Sequence, residues 1–313
     1  MKMRRLGRSG LEVSVVGLGC NNFGVLDVAA SRRVVDRALD VGVNFLDTAD
    51  IYGGRGGSET QLGEILEGRR DRIVLATKFG MAMDDDADKR RASAGYIRDA
   101  VEASLKRLKT DRIDLYQLHA PDPHTPMEET LGALDALVKA GKVRAVGCSN
   151  LPAAGIRDAA TISRAKGWSA FVTAQDEYSL LVRGAEKELI PAIENEGMSL
   201  LPYFPLASGL LTGKYKRDQQ PAADTRFGRM QRFSDRYMNE ANWTVVEALK
   251  AFAEARGHSL LDLAFAWLLS RPSLASVIAG ATRPEQVEAN VKAASWELTA
   301  DEVAEIDRIS AKG

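Results

Sequence analysis

Short apolar runs alternate with longer segments of helical periodicity along most of the chain. Within the helical segments, apolar side chains recur at three- and four-residue spacing, as in Ile97, Val101 and Leu105. The short runs are rich in β-branched residues and mostly apolar throughout, which is typical of parallel strands covered on both faces. The eight predicted strands lie at residues 13–16, 43–46, 73–76, 113–116, 143–146, 171–174, 199–201 and 276–278. This alternation predicts an α/β fold, either a closed (β/α)8 barrel or a doubly wound sheet.

Two segments do not fit the bare strand–helix repeat. Residues 1–12, with the turn-like sequence Gly7-Arg8-Ser9-Gly10, predict a short hairpin before the first strand. Residues 204–257 form a long excursion after the seventh strand, ending in a helix near 241–256. No Pro/Ser-rich linker divides the sequence, so we predict one domain over residues 1–313.

Local capping signals mark the starts of two helices. The sequence Thr125-Pro126-Met127-Glu128 combines an N-cap residue, a proline at the first helical position and a glutamate that can reach back. The sequence that starts at Thr299 and includes Glu302 opens a last helix in the same way. Both signals predict a capping box.

Composition and charge then narrow the class of protein. Of the 313 residues, 45% are hydrophobic and 27% charged, and 42 basic against 43 acidic side chains leave a net charge of −1. This balance and an aromatic content of 6% disfavour a nucleic-acid partner. No apolar run has the length of a membrane span, and the N-terminus leads into no signal-like apolar segment. We therefore expect a cytoplasmic protein with neither a membrane nor a nucleic-acid partner.

Cysteine and histidine are scarce. Cys20 and Cys148 are far apart and in no CxxC spacing, so free thiols in a reducing compartment are expected. The chain has three histidines and no HExxH sequence, so we predict no metal site of that kind.

Polar residues of reactive types end most of the apolar runs. In a parallel barrel, chemistry collects at the C-terminal ends of the strands. The residues at these ends, from the second strand to the eighth, are Asp47, Lys78, His119, Ser149 with Asn150, Gln175, Tyr203 and Gly280. Each alone is also compatible with the start of a solvated loop, but their recurrence over several strands indicates a common site.

Four residues form a chemical set that suits carbonyl reduction. Tyr52 follows the second strand, and a phenol with a pKa near 10 is a poor acid unless its surroundings tune it. The ammonium of Lys78 would stabilise the phenolate, and Asp47 would hold that ammonium in place. His119 would donate a hydrogen bond to a carbonyl oxygen. Together these side chains describe a proton donor aimed at an oxygen that becomes an alkoxide.

At this point the sequence resembles the aldo-keto reductase family over essentially its whole length. Each motif is moderately specific, whereas their joint order is highly specific. The motifs are residues 45–53 (FLDTADIYG), 77–80 (TKFG), 114–119 (DLYQLH), 147–150 (GCSN), 175–178 (QDEY), 209–215 (GLLTGKY) and 280–290 (GATRPEQVEAN). The resemblance implies a (β/α)8 TIM barrel with an N-terminal β-hairpin and extra helices after strand 7 and at the C-terminus.

The resemblance also implies roles for the residues. Tyr52 would be the general acid, tuned by Lys78 and Asp47, and His119 would orient the carbonyl. NADPH would bind extended at the barrel mouth, with NADH a less favoured cofactor. The implied cofactor-binding residues are Gly19, Cys20, Asn21, Ser149, Asn150, Gln175, Tyr203, Phe204, Pro205, Leu206, Ser208, Gly209, Leu210, Lys214, Gly280, Thr282, Arg283, Gln286 and Asn290.

Physical chemistry supports several of these roles. Amide side chains both donate to and accept from a carboxamide, as is implied for Asn150 and Gln175, and Tyr203 would stack on the nicotinamide ring. Ser208 and Gly209 would let backbone N–H groups approach a pyrophosphate. Arg283 lies at the start of the last barrel helix, where a guanidinium and the helix N-terminus both favour the 2′-phosphate of NADPH.

Two positions depart from the family pattern. Phe204 stands where many members have serine, which removes a hydroxyl from the expected pyrophosphate site. The loop after the first strand carries Phe23 where many members have Thr-Trp nearby, so Phe23 is expected to be the aromatic wall of a substrate pocket that also contains Tyr52 and His119.

Three hypotheses for function follow. The first is NADPH-dependent reduction of a small-molecule aldehyde or ketone. The second is a barrel lyase that uses Lys78 as a Schiff-base nucleophile, although Asp47 would keep that amine protonated. The third is a cofactor-sensing accessory subunit, because the family includes channel-associated members. The sequence identifies neither the substrate nor whether the protein is a monomer or a homo-oligomer. The loops 21–24, 81–95, 120–127 and 215–240 are expected to set substrate specificity.

Overall fold

The computed structural model describes residues 1–86, 89–223 and 225–311. Within these ranges eight parallel strands follow one another around a single sheet, after an antiparallel pair at the N-terminus. The strands in chain order are β1 (Met3–Arg5), β2 (Glu12–Ser14), β3 (Val16–Gly19), β4 (Phe45–Asp47), β5 (Val74–Phe79), β6 (Ile113–Leu118), β7 (Val143–Ser149), β8 (Phe171–Glu177), β9 (Ser199–Tyr203) and β10 (Val277–Gly280). The sheet runs from β10 through β3 to β9 in sequence order.

The sheet curls into a nearly closed barrel. The N–H of Leu200 in β9 donates to the carbonyl of Ser273 (2.8 Å), and the carbonyl of Leu200 accepts from the N–H of Ala275 (3.1 Å). These bonds join β9 to the segment that enters β10 and bring the two edges of the sheet together. The predicted (β/α)8 barrel is therefore confirmed, and the doubly wound alternative is excluded.

The N-terminal hairpin closes one end of the barrel. Strand β1 pairs with β2, with Met3 opposite Ser14 and Arg5 opposite Glu12. The predicted first strand at 13–16 is thus wrong in its bounds, because its first two residues belong to the hairpin and the barrel strand begins at Val16. Leu6, Leu11 and Val13 of the hairpin pack against the inward-facing side chains of the barrel, which form an apolar plug.

Thirteen α-helices lie within the described residues. They are α1 (Val28–Asp40), α2 (Tyr52–Arg55), α3 (Gly57–Ile65), α4 (Ala94–Leu108), α5 (Met127–Lys139), α6 (Ala153–Lys166), α7 (Leu189–Asn195), α8 (Arg226–Arg229), α9 (Gln231–Tyr237), α10 (Glu240–Glu254), α11 (Leu260–Leu269), α12 (Pro284–Ala293) and α13 (Ala300–Ser310). Helices α8 to α10 form the predicted excursion after the seventh barrel strand, and α13 is the predicted C-terminal helix. A large apolar layer fills the space between the strands and the surrounding helices. None of the helices in the described ranges is long and apolar enough to cross a bilayer.

The two predicted capping boxes have different outcomes. At α13, Thr299 Oγ1 accepts from the N–H of Glu302 (3.3 Å) and a Glu302 carboxylate oxygen accepts from the N–H of Thr299 (2.8 Å), as predicted. At α5 the prediction is wrong, because the N-cap is Pro126 and no side chain caps the helix. The hydroxyl of Thr125 instead donates to Asp122 at 2.7 Å.

Candidate active site

Asp47, Lys78 and His119 are brought together at the C-terminal end of the barrel. Asp47 is the last residue of β4, Lys78 is the penultimate residue of β5, and His119 follows β6 directly. Because β4 to β6 are adjacent parallel strands, their C-terminal ends meet at one edge of the barrel. Strands β4 and β5 extend further towards their C-terminal ends than the apolar runs suggested, so Asp47 and Lys78 belong to the strands themselves, which fixes their backbones.

Lys78 and Asp47 form a buried ion pair. Lys78 Nζ donates to Asp47 Oδ2 at 2.6 Å and to the carbonyl of Thr48 at 2.9 Å. The lysine is fully buried. Burial acts to lower the pKa of Lys78, but the Asp47 carboxylate and the Tyr52 hydroxyl outweigh it, so the pKa is raised. The side chain is therefore an ammonium at neutral pH.

Tyr52 is held beside this pair by a tight turn. Gly53 has a φ of 70°, and a Cβ at that position would lie 2.4 Å from the carbonyl oxygen of Phe23, so only glycine fits there. The Lys78 ammonium lies 5.0 Å from the centroid of the Tyr52 ring. The imidazole of His119 meets the same ring edge-on, with 5.7 Å between centroids. The four residues expected to be catalytic therefore form one cluster.

The pKa of Tyr52 is shifted in the opposite direction to the one expected from the nearby Lys78. Burial raises the pKa of the Tyr52 hydroxyl, while the Lys78 ammonium lowers it and Asp47 raises it. The net pKa lies above the usual value of a tyrosine. Lys78 thus acts in the expected direction but does not overcome burial. The phenol keeps its proton at neutral pH, as a proton donor must.

His119 is neutral over the physiological range. Burial and the nearby Lys78 ammonium lower the pKa of His119 to about 3. Its Nδ1 is buried and makes no hydrogen bond with any residue in the described part of the chain. A neutral imidazole carries one N–H, so it can donate a single hydrogen bond without adding charge to the site.

Two glutamine amides converge on Asp47. Gln117 Nε2 donates to Asp47 Oδ1 at 3.2 Å, and Gln175 Nε2 donates to the same oxygen at 3.0 Å. Thr173 Oγ1 donates to Gln117 Oε1 at 3.4 Å and completes the chain. Gln175 was expected at the nicotinamide, and its Oε1 makes no hydrogen bond within the described residues. Gln117 was missed because it lies one residue inside the apolar strand that ends before His119.

Asn150 and Tyr203 are linked across the barrel mouth. The Tyr203 hydroxyl donates to Asn150 Oδ1 at 2.9 Å, and Asn150 Nδ2 donates to both the His119 carbonyl and Ser149 Oγ, each at 3.0 Å. Asn150 has a φ of 58°, a conformation that asparagine tolerates better than most residues. These contacts bring Asn150 and Tyr203, two of the residues expected to meet a nicotinamide, close to His119.

The segment after β9 has the backbone geometry of an anion-binding loop. Ala207, Ser208 and Gly209 all have positive φ values, of 47°, 56° and 107°. Successive residues of this kind can turn backbone N–H groups towards a common point. Ser208 Oγ is buried and makes no hydrogen bond within the described ranges. A Cβ on Gly209 would lie 3.6 Å from Lys214 Nζ, so a cation adjoins the loop.

Other residues expected at this loop lie in it or next to it. Phe204 has a φ of 49° and its ring meets the ring of Tyr203 edge-on. Pro205 is buried, Leu206 is the N-cap of the following 3-10 turn, and Leu210 is buried within that turn.

The start of α12 presents an exposed arginine. Arg283 is exposed and makes no ion pair with any described residue. Gln286 Oε1 accepts from the N–H groups of Thr282 (2.7 Å) and Arg283 (3.2 Å), so that oxygen caps α12. Asn290 is one turn further along and is buried. The arginine and the helix N-terminus thus have the expected arrangement for a phosphate. Gln286 caps the helix, a role that the sequence did not predict.

The loop after β3 was expected to contribute both cofactor-binding residues and the aromatic wall of a substrate pocket, and its structure fits only the first. Gly19 is in register with Gly280, and the N–H of Cys20 donates to the Asp47 carbonyl at 2.8 Å, so residues 19–21 lie at the mouth. A Cβ on Gly280 would be 3.2 Å from Asn21 Oδ1. Phe23 is different, because its side chain is fully buried within the apolar layer. In this structure its ring offers no exposed wall to a substrate, contrary to expectation.

Arg226 is a further residue at the mouth whose role the sequence did not specify. Its guanidinium lies over the rings of Phe204 (4.8 Å) and Phe233 (4.9 Å). It makes no ion pair with the residues described here. Burial lowers the pKa of Arg226, with Tyr237 acting in the opposite direction. A desolvated cation next to the Tyr203–Phe204 pair is positioned to meet an anionic group.

The family model for "Aldo/keto reductase family" matches residues 15–311, which is nearly the whole chain. The chain belongs to the aldo/keto reductase family. The resemblance found in the sequence is therefore confirmed, and with it the family's oxidoreductase character.

Curated relatives cover almost the full length of this aldo/keto reductase. An uncharacterised oxidoreductase of Bacillus subtilis (strain 168), YrpG, is 36% identical over 309 residues, which are 95% of this chain and 92% of that protein. A second one from the same organism, YqkF, is 36% identical over 97% of this chain and 94% of its own length. A probable voltage-gated potassium channel subunit beta of Arabidopsis thaliana is also 36% identical, over 94% of this chain and 91% of its length.

Proposed function

We propose that this protein reduces the carbonyl group of a small aldehyde or ketone with NADPH, using Tyr52 as the proton donor. The observation that carries the proposal is the arrangement of Tyr52, Lys78 and His119. A protonated phenol lies beside a buried ammonium and a neutral imidazole at one edge of the barrel. Family members use nicotinamide cofactors, usually NADPH, which supply a hydride to the substrate when bound.

Residues of the chain would bind the substrate oxygen, donate the proton and stabilise the charge that develops. A substrate oxygen would accept hydrogen bonds from Tyr52 and from the N–H of neutral His119. As negative charge develops on that oxygen, Tyr52 gives up its proton, and the Lys78 ammonium stabilises the phenolate that remains. Asp47 keeps Lys78 charged and in place through the 2.6 Å contact.

Three features of the mouth fit an extended dinucleotide. The positive-φ segment at Ser208 and Gly209 has a buried hydroxyl with no partner among the described residues and an adjacent Lys214, which suits a pyrophosphate. Arg283 is exposed at the start of α12 and makes no ion pair with a described residue, which suits a 2′-phosphate and favours NADPH over NADH. The linked amide and phenol of Asn150 and Tyr203 suit a carboxamide and a nicotinamide ring.

Tyr52→Phe tests the proposed acid. Removal of a positioned acid typically lowers turnover by about 10²–10⁴-fold, so we expect that loss in kcat with an aldehyde panel at saturating NADPH. Tyr178→Phe, which removes a phenol that donates to Glu186 at 2.7 Å outside the catalytic cluster, is the matched control. Normal turnover of Tyr52→Phe with unchanged NADPH binding would contradict the assignment.

The relatives named as channel subunits supply the alternative of a cofactor-sensing accessory protein. Tight NADPH binding by the wild type without turnover over a wide panel of aldehydes, ketones and quinones would favour it. The lyase hypothesis is disfavoured because Lys78 is fully buried and its pKa is raised, so the amine is not available as a nucleophile.

A further inference from the structure

Two buried hydroxyl groups lie behind the Lys78 ammonium and have no part in the chemistry proposed above. The side chains of Thr48 and Ser58 are both fully buried, and their hydroxyl oxygens lie 2.7 Å apart. Ser58 Oγ also donates to the carbonyl of Cys20 at 2.8 Å. Because Cys20 follows β3, Thr48 follows β4 and Ser58 lies in the first turn of α3, the pair joins three separate segments.

The carbonyl at one end fixes the direction of these bonds. A carbonyl oxygen only accepts, so the single hydroxyl proton of Ser58 is committed to Cys20. Thr48 must then be the donor between the two hydroxyls, from its Oγ1 to Ser58 Oγ. Both protons are thus assigned, and neither hydroxyl can rotate without losing a hydrogen bond in a fully buried position, where such a loss is costly.

This chain of hydrogen bonds closes on itself around Lys78. The carbonyl of Thr48 accepts from Lys78 Nζ at 2.9 Å, and Asp47 Oδ2 accepts from the same ammonium at 2.6 Å. The carbonyl of Asp47 accepts from the N–H of Cys20 at 2.8 Å, and the carbonyl of Cys20 receives the Ser58 proton. The five residues therefore form one ring of hydrogen bonds, in which the two hydroxyls hold Thr48 from its side-chain end.

Ser58 also adjoins the turn that carries Tyr52. A Cβ on Gly53 would lie 2.7 Å from the backbone nitrogen of Ser58, so the start of α3 packs directly against the residue after the proposed acid. An ammonium has three N–H groups. Two of those of Lys78 are on the fixed acceptors of the ring, so the third remains for the Tyr52 hydroxyl. A hydrogen bond from Lys78 acts to lower the pKa of that hydroxyl.

We propose that Thr48 and Ser58 are positioning residues for the proton donor, and that their paired hydroxyls hold the Thr48 carbonyl where the Lys78 ammonium keeps one N–H on Tyr52. The consequence for catalysis rests on the proposed reductase function, whereas the placement of the ammonium is measurable without turnover. Neither side chain has exposed surface with which to meet substrate or cofactor. Loss of either hydroxyl should therefore lower turnover and leave binding unchanged.

The ammonium itself is the first readout. In protein that contains ¹⁵N-labelled lysine, we expect the Nζ signal of Lys78 to be visible by NMR at neutral pH, because a buried, hydrogen-bonded ammonium exchanges its protons slowly with water. Lys78→Met assigns the signal. Thr48→Val, which removes one hydroxyl at nearly constant volume, and Ser58→Ala should both shift or broaden it. Thr48→Ser, which keeps the hydroxyl, should leave it as in the wild type.

Ser276→Ala is the matched control for the loss of a buried serine. The Ser276 hydroxyl is equally buried and donates to the carbonyl of Ser14 at the same distance of 2.8 Å, but it lies at the end of the barrel that the hairpin closes. This variant should lose stability without a change in the Lys78 signal. A change that is confined to Thr48→Val and Ser58→Ala is then specific to the ring.

Turnover is the second readout. With an aldehyde that the wild type reduces, kcat of Thr48→Val and of Ser58→Ala should fall about three- to tenfold, the effect of one hydrogen bond. The KM for the aldehyde and the dissociation constant of NADPH should stay unchanged, because neither hydroxyl touches a ligand. Thr48→Ser and Ser276→Ala should keep the kcat of the wild type.

Three results would overturn the proposal: a Lys78 signal that is the same in the wild type, Thr48→Val and Ser58→Ala, an equal change of that signal in Ser276→Ala, or a wild-type kcat in a variant whose signal has changed. If Ser58→Ala does not fold by circular dichroism, Thr48→Val decides, because it retains the bond from Ser58 to Cys20. If the wild type reduces no carbonyl compound, the proposed function fails, and the ammonium signal still decides whether the two hydroxyls position Lys78.

Discussion

Gln117 Nε2 donates a hydrogen bond to Asp47 Oδ1 at 3.2 Å, on the opposite carboxylate oxygen from the one that Lys78 holds. Because Asp47 orients the ammonium that acts on Tyr52, Gln117 is a positioning residue for the proposed acid. The neighbouring Thr173 fixes the other end of the same amide.

Gln117→Leu should therefore perturb catalysis without direct contact with substrate. A hydrogen bond to a charged group is worth about 1.5–3 kcal/mol, so we expect kcat to fall about tenfold or more and the alkaline limb of the pH–rate profile to move. NADPH affinity, measured by fluorescence titration, should change little. A variant in which only stability falls, with kcat and the pH profile intact, would limit Gln117 to a structural role. Thr173→Val, one step further from Asp47, is the matched control and should have a smaller effect.

The Asp47–Lys78 pair should show strong coupling in stability. Removal of one member of a buried pair leaves an uncompensated charge and costs about 3–5 kcal/mol. We expect losses of that order for Lys78→Met and for Asp47→Asn in urea unfolding. The double variant should be markedly more stable than the sum of the two losses predicts. Additive losses would show that the 2.6 Å contact contributes no net coupling.

His119 should make the fold acid-sensitive. In the folded protein the pKa of His119 is about 3, whereas an unfolded histidine titrates near 6.5. Below pH 6.5 the unfolded state therefore binds more protons, so stability is full above that pH and falls as the pH drops towards 3. Between pH 7 and 4.5 the loss from this one group is about 2–3 kcal/mol.

Urea unfolding at both pH values measures this loss. His119→Gln should reduce the difference between pH 7 and pH 4.5, and His124→Gln, which alters an exposed histidine, should leave it unchanged. The same acid loss in wild type and His119→Gln would show that other groups cause it.

The barrel and the proposed catalytic cluster were accessible from the sequence because each depends on a local pattern. Buried parallel strands are nearly continuous apolar runs, and the polar residues that end them meet at one edge whatever the loops do. Asp47, Lys78 and His119 were found in this way. The bounds of the strands depend on more than the apolar run. A bend at Val15 divides the run at 13–16 between the hairpin strand β2 and the barrel strand β3.

The rest of the site depends on contacts between distant segments. Gln117 is an amide within an apolar strand, and only the fold shows that its side chain reaches Asp47. Asp50 has the sequence context of a loop acid, yet only 1% of its surface is exposed. Thr125 has every local mark of an N-cap, but Asp122 competes for its hydroxyl. Burial and competition for partners are properties of the tertiary structure, so no local pattern revealed them.

Arg283 should decide between NADPH and NADH. Its guanidinium is exposed, free of acidic partners among the described residues, and next to the N-terminus of α12, where a phosphate is favoured. If it holds the 2′-phosphate, Arg283→Gln should weaken NADPH binding by about 10- to 100-fold, in line with the loss of a charge-assisted bond of about 1.5–3 kcal/mol. NADH carries no such phosphate, so its affinity for the variant should stay within about twofold of its affinity for the wild type. A change of that size is the usual variation of such contributions from one site to another.

Fluorescence titrations of both cofactors measure the two affinities in parallel. Arg308→Gln, an exposed arginine on α13, controls for the general loss of positive charge and should leave both unchanged. An equal loss for NADPH and NADH would place Arg283 at a phosphate that the two cofactors share. Unchanged NADPH binding would show that the 2′-phosphate lies elsewhere. Arg226, which lies over Phe204 next to Tyr203 and makes no ion pair with the described residues, would then be the residue to vary next.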